Sequence, residues 1–103
     1  MALKFGKDSP ELLLLQEIYC GNDIKAVLSK LALGNRNAGR KICSFLKNKS
    51  AATKNFEDTV KNLVSEEYLE IVENNSEKIT LEITDEGIDY LAEDYRSEIK
   101  YYE

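Results

Sequence analysis

Apolar positions along the chain change their spacing once, and that change divides it into a helical part and a stranded part. Ser9-Pro10-Glu11 opens the first element with a side-chain cap, a proline whose missing N–H costs nothing at the first helical position, and an acid at the positive dipole end. This helix is predicted to run to Cys20 and stop at Gly21. Leu12, Leu13, Leu14, Leu15, Ile18 and Tyr19 cover most of its circumference, so it must be buried on more than one side. A second helix, about Asp23 to Leu33, places Ile24, Val27, Leu28 and Leu31 at three- and four-residue steps and closes at Gly34. Asn37 is read as the cap of a third helix reaching about Asn48, with Ile42, Phe45 and Leu46 turned inward. A fourth, about Lys54 to Glu66, carries Phe56, Val60, Leu63 and Val64 on one face.

The period then falls to two. Leu69 and Ile71 alternate with Tyr68 and Glu70, and Ile79, Leu81 and Ile83 alternate with Lys78, Thr80 and Glu82, with polar turn residues 73–77 between the two runs. This predicts a two-stranded hairpin with one oily face, which needs helices to cover it. Thr84 or Asp85 caps a last helix whose stripe is Ile88, Leu91, Ala92, Tyr95, Ile99 and Tyr102. The 103 residues are expected to form one domain: a first helix over 1–21, a core over 22–84, and a last helix over 85–103. No apolar run approaches the roughly 20 residues of a membrane span, and no leader pattern is seen, so a soluble cytoplasmic protein is expected.

Composition limits the chemistry. The chain has no histidine and only two cysteines. Histidine-based triads, Cys-His pairs and His-ligated zinc are therefore excluded, and Cys20 and Cys43 read as small buried apolar residues, with a disulfide between them as the alternative. No catalytic residue, cofactor or metal is expected. The net charge of −5 conceals a division: residues 25–61 hold nine bases against two acids, whereas residues 62–103 hold three bases against thirteen acids. Because exposed charges are screened beyond about 10 Å at 0.1 M salt, a basic middle can meet phosphate while the acidic end faces elsewhere.

Over about residues 23–92 the order helix, helix, helix, hairpin, helix resembles the winged helix-turn-helix DNA-binding fold. Phe56, Val60, Leu63 and Tyr68-Leu69 are similar to its recognition helix and first wing strand. Leu81-Glu82-Ile83-Thr84-Asp85-Glu86-Gly87 is similar to the second wing strand with its Leu/Ile-Thr-x-x-Gly signature, and residues 27–46 resemble the two preceding helices. Glu67 stands where the family usually has glycine. The nearest likeness is to small transcriptional regulators of the MarR and PadR kind. It implies a mainly α protein with a two-stranded β-wing and extra terminal helices, binding double-stranded DNA as a homodimer.

In that resemblance the helix at 54–66 enters the major groove. At about 100° per residue the face opposite Phe56, Val60, Leu63 and Val64 carries Lys54, Asn55, Asp58, Lys61 and Asn62. The resemblance implies that Lys54, Asn55, Lys61 and Asn62 face the bases and that Arg36, Arg40, Lys41, Lys47 and Lys49 anchor the phosphates. Dimer contacts fall to Leu12, Leu15, Tyr19, Leu91, Tyr95, Ile99 and Tyr102. The acids Glu73 and Glu77 at the hairpin tip predict a wing that adds little to DNA binding. They also motivate the alternative of a protein-interaction module.

Overall fold

The computed structural model describes residues 5, 6, 8–48 and 54–102, which form four helices and a three-stranded antiparallel sheet. The chain is thus mixed α/β rather than mainly α. Helix α1 (Pro10–Cys20) starts as its cap sequence requires: the Ser9 side chain accepts from the Leu12 N–H at 3.2 Å, and Gly21 closes the helix at φ +65°. It lies at the centre of the molecule, touching helices α2 (Ile24–Ala32), α3 (Lys54–Ser65) and α4 (Asp85–Tyr102) as well as the sheet. Leu12, Leu14, Leu15, Ile18, Tyr19 and Cys20 are all buried by these neighbours, while Leu13 looks outward. In α2, Leu28 and Leu31 are buried, and Ile24, expected on the same stripe, is largely exposed.

The predicted third helix is absent. Residues 33–41 form turns, and strand β1 (Ile42–Leu46) follows. Two contacts with α1 commit the backbone here. The Arg40 N–H donates to the Tyr19 carbonyl at 2.8 Å, and the Tyr19 hydroxyl donates to the Arg36 carbonyl at 2.6 Å. Gly39 packs so closely on Tyr19 that a Cβ would lie 2.8 Å from its ring and nearer still to its carbonyl oxygen. Once extended, the segment alternates: Phe45 is buried and Cys43 partly so, while Ile42 and Leu46, expected inside, are about half exposed.

Strand β1 lies on one edge of the sheet and β2 (Leu69–Asn74) on the other, flanking β3 (Lys78–Ile83). The hairpin is therefore two strands of three. Its central strand buries Ile79, Leu81 and Ile83 against the helices, and a bulge between Ile71 and Glu73 offsets the β2 register. Helix α3 ends with the Tyr68 N–H bonded to the Leu63 carbonyl at 2.9 Å and Glu67 at φ +65°, the left-handed helix-stop position that favours glycine.

Thr84 then joins sheet to helix. Its hydroxyl donates to the Glu67 carbonyl at 2.5 Å and accepts from the Gly87 N–H at 3.1 Å, while its own N–H meets the Tyr68 carbonyl at 3.0 Å. Helix α4 buries Ile88, Leu91 and Ala92 as its stripe requires. It also buries Tyr90, which stacks on Tyr68 with ring centroids 4.8 Å apart. Phe5 meets both rings edge-on, and its backbone N–H and carbonyl bond the Tyr90 hydroxyl at 3.0 and 3.2 Å.

Candidate nucleic-acid interface

The basic residues of the central segment separate into two groups with different work. Arg36 turns toward the start of α4. Its guanidinium bonds the Asp89 carboxylate, reaches the Asp85 carbonyl at 3.3 Å, and lies 3.7 Å from the Asp85 carboxylate. Arg40 reaches the opposite kind of helix end. Its Nη2 donates to the Glu17 carbonyl at 3.4 Å, at the C-terminus of α1, where the dipole favours a cation. Both arginines, expected as phosphate anchors, are engaged within the chain and hold the 33–41 segment against its neighbours.

Lys47 and Lys61 form the second group. Lys47 follows the end of β1, where its N–H donates to the Glu77 carbonyl at 2.9 Å, and Lys61 lies on the exposed side of α3. The two line one groove of about 280 Å³ between α3 and the hairpin, together with Phe56, Val60, Val64 and Ile79 and with the polar Glu57 and Asn74. Neither lysine is ion-paired with any described residue. Lys41 is exposed just before β1, at the far end of that strand from Lys47, so it does not join them.

On α3 itself, Asn55, Asp58, Lys61 and Asn62 are exposed, as the helical arithmetic requires, because Val60 and Leu63 are buried and Phe56 and Val64 half-buried. Asn62 already donates to Glu11 Oε2 at 3.4 Å. Lys49 and the side chain of Lys54 lie outside the described residues. Beyond the C-terminal end of α3 the charge reverses, where a shallow depression is lined by Glu67, Glu70 and Glu86 around Thr84. At the hairpin tip Lys78 pairs with Glu73 at 3.4 Å, which leaves Glu77 as an acid there.

The residues expected to join two copies fare differently. Leu12, Leu15, Tyr19 and Leu91 are 3, 0, 0 and 1% exposed, so the chain's own core consumes them and they have no surface to offer a partner. Tyr19 is covered by the 36–40 turn, and α1 as a whole is packed among α2, α3, α4 and β3. Tyr95 is half-buried with its hydroxyl 3.2 Å from Ser29 Oγ. The side chains of Ile99 and Tyr102 lie outside the described residues.

The hydrogen bond to Asp89 raises the Arg36 guanidinium, and the other displaced titrations belong to core groups. Burial raises the phenols of Tyr19 and Tyr90 above their ordinary value and pushes the Cys20 thiol up to about 11. Among the described residues no cluster of three or more Cys, Asp or Glu side chains could hold a metal ion, and no helix is long and apolar enough to cross a membrane. Charge alone pointed to Lys47 and Lys61; the groove between them had no signal in the sequence, because it forms from residues of α3 and a hairpin that meet only on folding. Comparisons with protein-family models, curated proteins and solved structures found no match to this chain.

Proposed function

We propose that this chain is a DNA-binding protein of the winged helix-turn-helix type, a transcriptional regulator that presents the exposed face of α3 to the major groove. The observation that carries the reading is that Lys47 and Lys61 line one groove, beside the exposed face of α3 that holds Asn55, Asp58 and Asn62. Lysines placed so contact phosphates, and an exposed asparagine on the same helix, Asn55, can pair with an adenine edge, whereas Asn62 would first have to leave Glu11. Arg36 and Arg40 drop out of the contact set because they serve the helix ends. The homodimer belongs to the same reading, confined now to the turns of α4 from Tyr95 onward.

Fluorescence anisotropy with pooled duplex fragments in 50 mM salt tests it. Replacing Lys47 or Lys61 by alanine is expected to weaken binding and to shallow the slope of log affinity against log salt by about 1 each. Absence of binding in that salt would remove the reading.

A protein-interaction module is the second reading, favoured by the withdrawal of both arginines and by the acidic hairpin. It predicts that Lys47 and Lys61 can be exchanged for glutamate with no change in any duplex-dependent signal.

A further inference from the structure

The open edge of β1 supports a different partner from the groove. Its hydrogen-bond phase is fixed at both ends: the Lys41 carbonyl accepts from the Ile83 N–H at 2.8 Å, and the Lys47 N–H donates to the Glu77 carbonyl at 2.9 Å. In an antiparallel ladder the residues that bond a given neighbour alternate, so Cys43 and Phe45 turn their backbone groups toward β3. Ile42, Ser44 and Leu46 therefore turn theirs away from the sheet, toward no other strand among the described residues. The same three residues put their side chains on the sheet face opposite the core, where Ser44 is exposed and Ile42 and Leu46 are 48 and 50% exposed. A row of outward backbone groups beside two half-exposed aliphatic side chains is a template for one more strand.

Charge decides which strand. Lys41 and Lys47 bracket β1, about 20 Å apart at the usual rise per residue, and neither is ion-paired with a described residue. A second copy laid antiparallel about Ser44 would set each Lys41 against the other copy's Lys47, and like charges directly opposite are destabilising. An extended segment with acids at those two positions meets both lysines instead. We propose that the β1 edge binds an extended acidic strand of a partner protein, with acids six residues apart opposite Lys41 and Lys47 and β-branched apolar residues opposite Ile42 and Leu46. Three outward residues, each exchanging a pair of bonds with its opposite number, give about six main-chain hydrogen bonds.

The probe is a fluorescein-labelled peptide containing Glu-Val-Thr-Ser-Thr-Val-Glu, titrated with the full chain and compared with its counterpart carrying lysine at both ends. The acidic peptide is expected to bind at least tenfold more tightly, with backbone amide shifts at Ile42, Ser44 and Leu46. The double change Lys41→Glu/Lys47→Glu should reverse the preference between the peptides. Ser44→Pro removes an outward N–H and, with it, the 2.7 Å bond between the Ser44 and Thr80 hydroxyls, so it is read against Ser44→Ala, which loses only that bond. Proline should cost at least tenfold beyond alanine, with duplex affinity unchanged. Equal affinity for the two peptides, shifts confined to the α3 groove, or self-association in place of peptide binding would overturn the proposal. Should Ser44→Pro fail to fold, the reversal by charge exchange decides.

Discussion

Gly87→Ala sets two physical effects against each other with opposite signs. Gly87 lies in the first turns of α4, and helix propensity alone predicts that alanine there stabilises by about 1 kcal/mol. The packing predicts the reverse. A Cβ at this position would stand 2.7 Å from Ile83 Cγ1 and closer still to the Tyr68 carbonyl oxygen. That oxygen is already the acceptor for the Thr84 N–H at 3.0 Å, the bond that ties the end of β3 to the end of α3. Forcing the two backbones apart carries an overpacking cost of about 1–3 kcal/mol and weakens a hydrogen bond worth about 1 kcal/mol. The net expectation is a loss of about 2 kcal/mol, or roughly 10 °C in Tm for a domain of this size. Thermal and urea unfolding followed by circular dichroism at 222 nm measure it, with Ser97→Ala on the exposed side of the same helix as the reference, expected to gain about 0.5 kcal/mol. A Gly87→Ala protein as stable as its parent would refute the close approach, and with it this account of why the Thr-x-x-Gly pattern ends in glycine.

Other substitutions probe separate parts of the molecule. Glu67→Gly should stabilise by about 1 kcal/mol in the same unfolding assay, because the left-handed position at the end of α3 carries a side chain it does not favour. Arg36→Ala should cost less than about 1 kcal/mol, since its ion pair with Asp89 is solvent-exposed, and should leave duplex affinity unchanged in the anisotropy titration. At pH 8 a thiol reagent should titrate Cys43 in the folded chain and Cys20 only after urea, because burial holds the Cys20 thiol at about 11. The raised values of Cys20, Tyr19 and Tyr90 mean that each group favours folding fully below its ordinary value. That contribution is lost as pH climbs through the raised one, so stability should fall in alkali, starting near the ordinary thiol range. Tyr90→Phe should soften the part of this fall that lies above pH 10, read as Tm against pH.

Local chemistry made α1, the hairpin and α4 legible in the sequence. The Ser9-Pro10-Glu11 start and the Thr84 cap act over three or four residues, and the alternation of Ile79, Leu81 and Ile83 needs no knowledge of what covers it. Strand β1 was illegible for the converse reason. Ile42, Phe45 and Leu46 stand at the three- and four-residue spacing of a helical stripe. The contacts that extend the segment come from Tyr19, far upstream, and from β3, far downstream. The candidate interface divides along the same line. Its cations could be counted along the chain, but Asp89, which removes Arg36 from that set, lies 53 residues away. Tyr90 was missed because it falls off the apolar stripe of α4, and the partner that fills its hydroxyl, Phe5, is 85 residues distant.

That last pairing bears on how the protein is made. During translation Phe5 leaves the ribosome long before Tyr90, the ring that will receive it, has been synthesised. The α1 leucines are packed by α2, α3 and β3 as well as by α4, so their cover is complete only once α4 has emerged and docked. Closing so wide a loop is entropically slow compared with forming the hairpin, which places the seating of Phe5 among the last events of folding.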